Sequence, residues 1–263
     1  MNCSNDYFEH KRKTTVLEGR KLCLAGRGMK ESPCPVFFWP MSEEHGKTAE
    51  EAAAYVCSRV DSMTRESDRY LLAALTVKDW NRELSPWEAE IPEIGQSFGG
   101  GAEETLHWIR EAAMPWIGHA YPGSCRSYYL AGYSLAGLFA LWAEIITRKD
   151  RVFAGAAACS ATMWFPGWLE YAKGQSTGSS QVSGGSSISA VDIYLSLGGK
   201  EHLTSNPFIA AILAAAREYE GLLDADPSVR RHTFEMNKGG HFSDPDGRVA
   251  KGIAWLLKSM ART

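Results

Sequence analysis

The sequence predicts an α/β protein: a mostly parallel central sheet with helices on both faces, led by an N-terminal antiparallel hairpin. Three observations predict it. Short apolar runs alternate with longer alanine- and leucine-rich stretches of helical spacing, which is the pattern of βαβ units. The runs are continuously apolar, as strands covered on both sides must be. The chain has 263 residues, 44% of them hydrophobic and 22% charged. That suits one large domain over 1–263, long enough to bury a sheet between two helical layers.

Taken in order, Tyr7 to Ala25 alternates loosely between apolar and polar residues about the turn signal Glu18-Gly19-Arg20, and reads as the hairpin. Pro35-Val36-Phe37-Phe38-Trp39 reads as a buried strand stopped by Pro40, which lacks an N–H. Thr48 to Thr64 is alanine-rich at helical spacing and reads as a crossover helix, with Tyr70 to Val77 as the next strand. Lys78 to Gly101 is irregular and rich in Trp, Pro and Gly. Loops this long are functional or disordered, and Trp80, Trp87 and Phe98 argue against disorder. Ala102 to Gly118 reads as helix, Ser127 to Ala131 as strand, Leu135 to Arg148 as a strongly apolar helix, and Val152 to Ala158 as strand. The low-complexity Ser176 to Ser189 places a flexible loop at about 174–189. Val191 to Leu197 and Arg230 to Met236 read as strands, Pro207 to Leu223 and Arg248 to Met260 as helices.

Composition narrows the function. Net charge is -3 with Lys and Arg scattered, so no basic stripe neutralises phosphates and nucleic acid is not an expected partner. No run approaches the roughly 20 apolar residues of a membrane span. Met1 to Gly19 lacks the apolar core of a signal peptide. The six cysteines form no CxxC pair, which disfavours zinc, and free thiols in a reducing cytoplasm are the expectation.

The chemistry is signalled by Tyr129-Leu130-Ala131-Gly132-Tyr133-Ser134-Leu135-Ala136-Gly137. An apolar strand runs into a turn and an apolar helix starts at once, which is the context of a nucleophile elbow in the α/β-hydrolase fold. Small residues must flank the strained serine, and Gly132, Ala136 and Gly137 do so. The alternative is a serine that merely caps a helix.

A serine hydroxyl needs a base to take its proton and an acid to orient that base, in the chain order Ser, Asp or Glu, His. His202 comes too early, and His232 lies within the last strand. His241, in Lys238-Gly239-Gly240-His241-Phe242, follows that strand on a loop that two glycines let bend, and is the expected base. Glu201 is the carboxylate at the end of the preceding strand, after Gly198-Gly199-Lys200, and is the preferred acid. Asp244 and Asp246 could stand in, whereas Asp192 is at the wrong end of its strand. Backbone N–H groups of Leu135 and, because Pro40 has none, Met41 are the candidate oxyanion donors.

Gly-Tyr-Ser-Leu-Ala-Gly, Tyr194-Leu195-Ser196-Leu197-Gly198-x-Lys200-Glu201, Gly239-Gly240-His241 and Asp79-Trp80-Asn81-Arg82 with Ser85-Pro86-Trp87 together resemble the esterase D and enterochelin-esterase group. The likeness runs from about Pro35 onward. It implies a small-molecule carboxylic ester as substrate, an acyl-enzyme on the serine, and no metal or organic cofactor. Members of that group act on siderophore esters, S-formylglutathione or feruloyl esters. Two departures stand out: Gly199 replaces an acidic residue common in the acid loop, which leaves Glu201 or a Ser–His pair alone, and Pro40-Met41 stands where esterases commonly have a His-Gly or Gly-Gly pair in the oxyanion loop. Trp80, Trp87, Trp164 and Trp168 are candidates to line an acyl or aryl pocket, or else packed beneath loops. An acyltransferase or peptidase could use the same triad, and an idle hydrolase fold would be a binding protein.

Overall fold

Helix and strand boundaries follow from local chemistry in most of the chain. The structure, a computed structural model, describes residues 12–27, 33–43, 47–121, 125–178 and 190–260. Strands β1 (Lys13–Leu17) and β2 (Arg20–Arg27) pair antiparallel across Glu18-Gly19, as expected. The start of the predicted hairpin, before residue 12, lies outside the described residues. β3 (Cys34–Met41) runs through Pro40, two residues past its predicted stop. Its pairing with the neighbour on one side ends at Phe38, so on that side no ladder bond is lost at Pro40. Helix α1 (Ala49–Met63) begins at Thr48, whose hydroxyl accepts from the Glu51 N–H while Glu51 accepts from the Thr48 N–H. This capping box satisfies two N–H groups that a helix start leaves without partners. β4 (Tyr70–Thr76) is buried throughout.

The stretch read as an irregular loop after β4 holds more structure than the sequence suggested. It folds into α2 (Trp80–Glu83) and the hairpin β5 (Glu88–Ile91) and β6 (Gln96–Gly99). Four-residue elements are too short to show a period, so the pattern missed them. α3 (Ala102–Trp108) continues through a π-helical turn at Ile109–Ala113 into α4 (Met114–Ala120). The turn precedes Pro115, which cannot donate to a helical ladder. Next come β7 (Cys125–Tyr133), α5 (Leu135–Thr147), β8 (Phe153–Cys159) and α6 (Trp168–Gly178). α6 therefore takes up the first residues of the expected 174–189 loop, and 179–189 lie outside the described residues. β9 (Val191–Gly198) is followed by α7 (Pro207–Ala210) and α8 (Ile212–Ala225), two helices where one was expected. β10 (Val229–Asn237) and α9 (Pro245–Met260) complete the order.

Eight strands form one sheet in the order β1-β2-β4-β3-β7-β8-β9-β10, antiparallel at β1, β2 and β4 and parallel from β4 to β10. Alternate residues feed two cores. Leu22, Val36, Phe38, Leu130 and Ile193 pack against the face covered by α3 to α6 and α8. Phe37, Leu72, Tyr129, Ala157 and Tyr194 pack against α1 and α9. The parallel strands thus share one carboxyl edge, the place where open α/β sheets bind ligands. Cys23, Cys34, Cys57 and Cys159 are buried thiols.

Candidate active site

Ser134 sits at that edge, between β7 and α5, with φ 56° and ψ -122°. A non-glycine residue at positive φ is strained and persists only where its surroundings enforce it. Two features do so. The Ser134 N–H donates to the Cys159 carbonyl at 3.0 Å, tying the turn to β8. At Gly132 a Cβ would lie 2.1 Å from the Ala136 carbonyl oxygen, so the chain can double back this tightly only without a side chain there. Ala136 itself is fully buried, and its methyl group is accommodated.

His241 is delivered by the loop after β10. Gly239 bends this loop at φ 89°, whereas Gly240 has ordinary backbone. His241 Nε2 lies 3.1 Å from Ser134 Oγ, and His241 Nδ1 lies 2.9 Å from Glu201 Oε2. Glu201 follows β9 and is 4% exposed. Burial pushes its carboxyl pKa up, but hydrogen bonds from His241, Ser160 and the Gly198 N–H, with the charge of His241, outweigh that and hold it below the ordinary glutamate value of 4.5. A side chain that stays ionised next to an imidazole can fix its tautomer and stabilise the imidazolium.

The other candidate acids and His232 are occupied elsewhere. Asp244 accepts from Tyr55 and Gly247, and Asp246 pairs with Lys47. Asp192 is fully buried at the start of β9 and pairs with Arg230 and Arg231. His232 meets Asp224 at 2.9 Å.

Leu135 is the first residue of α5, where helix geometry leaves the N–H without an intrahelical acceptor. Met41 ends β3, three residues past Phe38, whose pairing with Leu130 is the last between β3 and the strand that leads to the serine. The tryptophans separate. Trp168 is fully buried and packs on Tyr171 and Tyr219, so it belongs to the core and not to a pocket wall. Trp87 donates to the Pro166 carbonyl at 2.9 Å and packs on Phe165 and Tyr171. Trp80 packs against the core. Trp164 alone of the four lines an open apolar cleft of about 490 Å³, with Met163, Phe165, Leu169, Pro207 and Phe208 among its neighbours. The lining includes neither Ser134 nor His241; Thr162, the residue before Met163 of that lining, donates its N–H to the Ser134 carbonyl, and its hydroxyl lies 3.4 Å from Ser134 Oγ.

Sequence reasoning missed three residues around Glu201. Ser160 donates to Glu201 Oε1 at 2.6 Å, and Arg248 Nη1 donates to the same oxygen at 2.7 Å. The Tyr133 hydroxyl donates to the His241 carbonyl, and burial pushes its pKa up to about 12, so it stays a donor. Arg248 carried one legible signal: a cation in the first turns of a helix, where the macrodipole disfavours it.

The sequence model of the family described as "Putative esterase" matches residues 60–242, more than half of the chain. The chain belongs to this esterase family. No curated protein sequence matches it. Among solved structures, this family member is similar to the siderophore hydrolase EstB from Aspergillus nidulans, at 17% identity and TM-score 0.74 over 98% of each chain. The IroE-like serine hydrolase from Shewanella oneidensis gives 16% identity and TM-score 0.74 over 94% of this chain and 80% of that one. Enterochelin esterase from Shigella flexneri gives 16% identity and TM-score 0.66 over 96% of this chain and 59% of that one. These likenesses establish the α/β fold of the esterase, and family membership establishes it as an ester-cleaving enzyme. Among the described residues, no helix is long and apolar enough to cross a membrane.

Proposed function

We propose that this esterase cleaves a carboxylic ester through an acyl-enzyme on Ser134, with His241 as base and Glu201 as the acid that orients it. The observation that carries this reading is the unbroken relay from Ser134 Oγ to His241 Nε2 at 3.1 Å and from His241 Nδ1 to Glu201 Oε2 at 2.9 Å. Oγ attacks the ester carbonyl carbon as its proton passes to Nε2. The carbonyl oxygen, now negative, is held by the N–H groups of Leu135 and Met41. Collapse of the tetrahedral species breaks the bond to the alcohol oxygen, which takes the proton from Nε2. Water then attacks the acyl-enzyme with His241 again as base, releasing the acid and restoring the hydroxyl.

The apolar cleft beside Trp164 and Phe208 suits the acyl or aryl part of the ester. The resemblance to siderophore and enterochelin esterases puts siderophore esters in the substrate panel, beside feruloyl and p-nitrophenyl esters graded by acyl length. The deciding experiment is Ser134→Ala. Hydrolysis of a short p-nitrophenyl ester and labelling by a fluorophosphonate should both vanish, and retention of either would remove Ser134 from the mechanism.

A further inference from the structure

Arg248 is a cation placed where two physical effects oppose it. It lies in the first turns of α9, the end of a helix that repels positive charge, and it is only 2% exposed. A guanidinium that has lost its water needs acceptors for a planar fork of N–H donors. Arg248 has five. Nη1 donates to Glu201 Oε1 at 2.7 Å, to Ser160 Oγ at 2.8 Å and to the Tyr133 hydroxyl at 3.3 Å. Nη2 donates to the Gly240 carbonyl at 2.9 Å and the Lys238 carbonyl at 3.2 Å. These acceptors come from the ends of β7, β8, β9 and β10, the four strands that meet at the serine.

The pattern is directional. Glu201 Oε1 accepts from Gly198 N–H, Ser160 and Arg248, which leaves Oε2 for His241. The other arm of the fork holds the carbonyl of Gly240, the residue before His241. Nearby charged groups are engaged elsewhere: Lys251 with Glu235, Asp246 with Lys47, and Asp244 with Tyr55.

We propose that Arg248 is a positioning residue for ester hydrolysis, fixing the carboxylate of Glu201 and the backbone beside His241 in one rigid frame so that the imidazole stays in reach of Ser134. This rests on the Ser134–His241–Glu201 reading above. Arg248 touches no reacting atom; it acts through the acid and the base.

The test measures kcat and KM for a short p-nitrophenyl ester, and the fluorophosphonate labelling rate, in Arg248→Met, Arg248→Lys, Glu201→Gln and the Arg248→Met/Glu201→Gln double variant. Arg248→Met should lower kcat by roughly 100-fold, the scale of a misplaced catalytic group, with KM near the wild-type value. Arg248→Lys should recover part of the loss, because an ammonium can reach Glu201 but cannot fork to the carbonyls as well. Arg248→Met and Glu201→Gln together should cost far less than the product of their separate effects, since they break one unit. Independent, multiplying losses would mark Arg248 as structural and overturn the proposal. So would a wild-type kcat in Arg248→Met or, should that variant not fold, in Arg248→Lys. A wild-type rate in Glu201→Gln would instead overturn the triad reading, whereas a slow Glu201→Gln beside fast Arg248 variants would overturn only the role of Arg248.

Discussion

At Ser134 the backbone sets the direction of the hydroxyl, because a residue at φ 56° between a strand end and a helix start has little freedom to turn away. Glu201 is constrained differently, by donors that converge on a buried carboxylate. This has a consequence for pH. Its folded pKa lies below the ordinary 4.5, so its ionised form stabilises the fold fully above that pH. The contribution is lost as the pH falls from 4.5 through the folded value. Denaturant titrations from about pH 7 to about pH 3 should therefore show less loss of stability below 4.5 in Glu201→Gln than in the wild type. The same variant should lower kcat by about 10⁴-fold if the amide imposes the wrong imidazole tautomer. Equal acid sensitivity in the two proteins would mean that the carboxyl gains nothing from its partners.

Between elements, two small features have opposite expected effects. The capping box at Thr48 serves α1, which lies across α9 on the sheet face away from α5. Thr48→Ala should cost about 1 kcal/mol of stability and leave kcat unchanged. At Gly132 the obstacle is the Ala136 carbonyl, backbone that cannot rotate aside. Gly132→Ala should cost about 1–3 kcal/mol through strain and also slow turnover, because the turn carrying Ser134 must open to admit the methyl group. Thermal melts and kcat on the same preparations separate the two cases. A Gly132→Ala enzyme of normal rate would show that the elbow does not need its tightness.

Over the whole molecule, the strand order brings residues 134, 201 and 241 to one edge of the sheet. Much of that was legible, because glycines and strand ends punctuate the chain where the site is built: Gly132 before the serine, Gly198-Gly199 before Glu201, Gly239 before His241. The partners of Arg248 were not: a cation near a helix start is an oddity the sequence shows, but helical periodicity records which way a residue faces and not what its end reaches. β5 and β6 escaped because four residues carry no period. The role of Trp168 was hidden for another reason: composition marks a tryptophan as large and apolar but cannot distinguish the floor of a pocket from the core beneath it.

The hairpin β5–β6 leans on the segment before α6, with Trp87 and Phe98 each 5.6 Å or less from the ring of Phe165, which also faces the cleft. Phe98→Ala should therefore alter the ratio of kcat/KM between long-acyl and short-acyl esters while fluorophosphonate labelling keeps its rate; an unchanged ratio would detach the hairpin from substrate choice. On the proposed reading, bond breaking is rooted in the ends of the parallel strands, whereas the choice of ester would rest on a hairpin outside the main sheet. Such a division would let the choice of ester be retuned at the hairpin without disturbing the engine underneath.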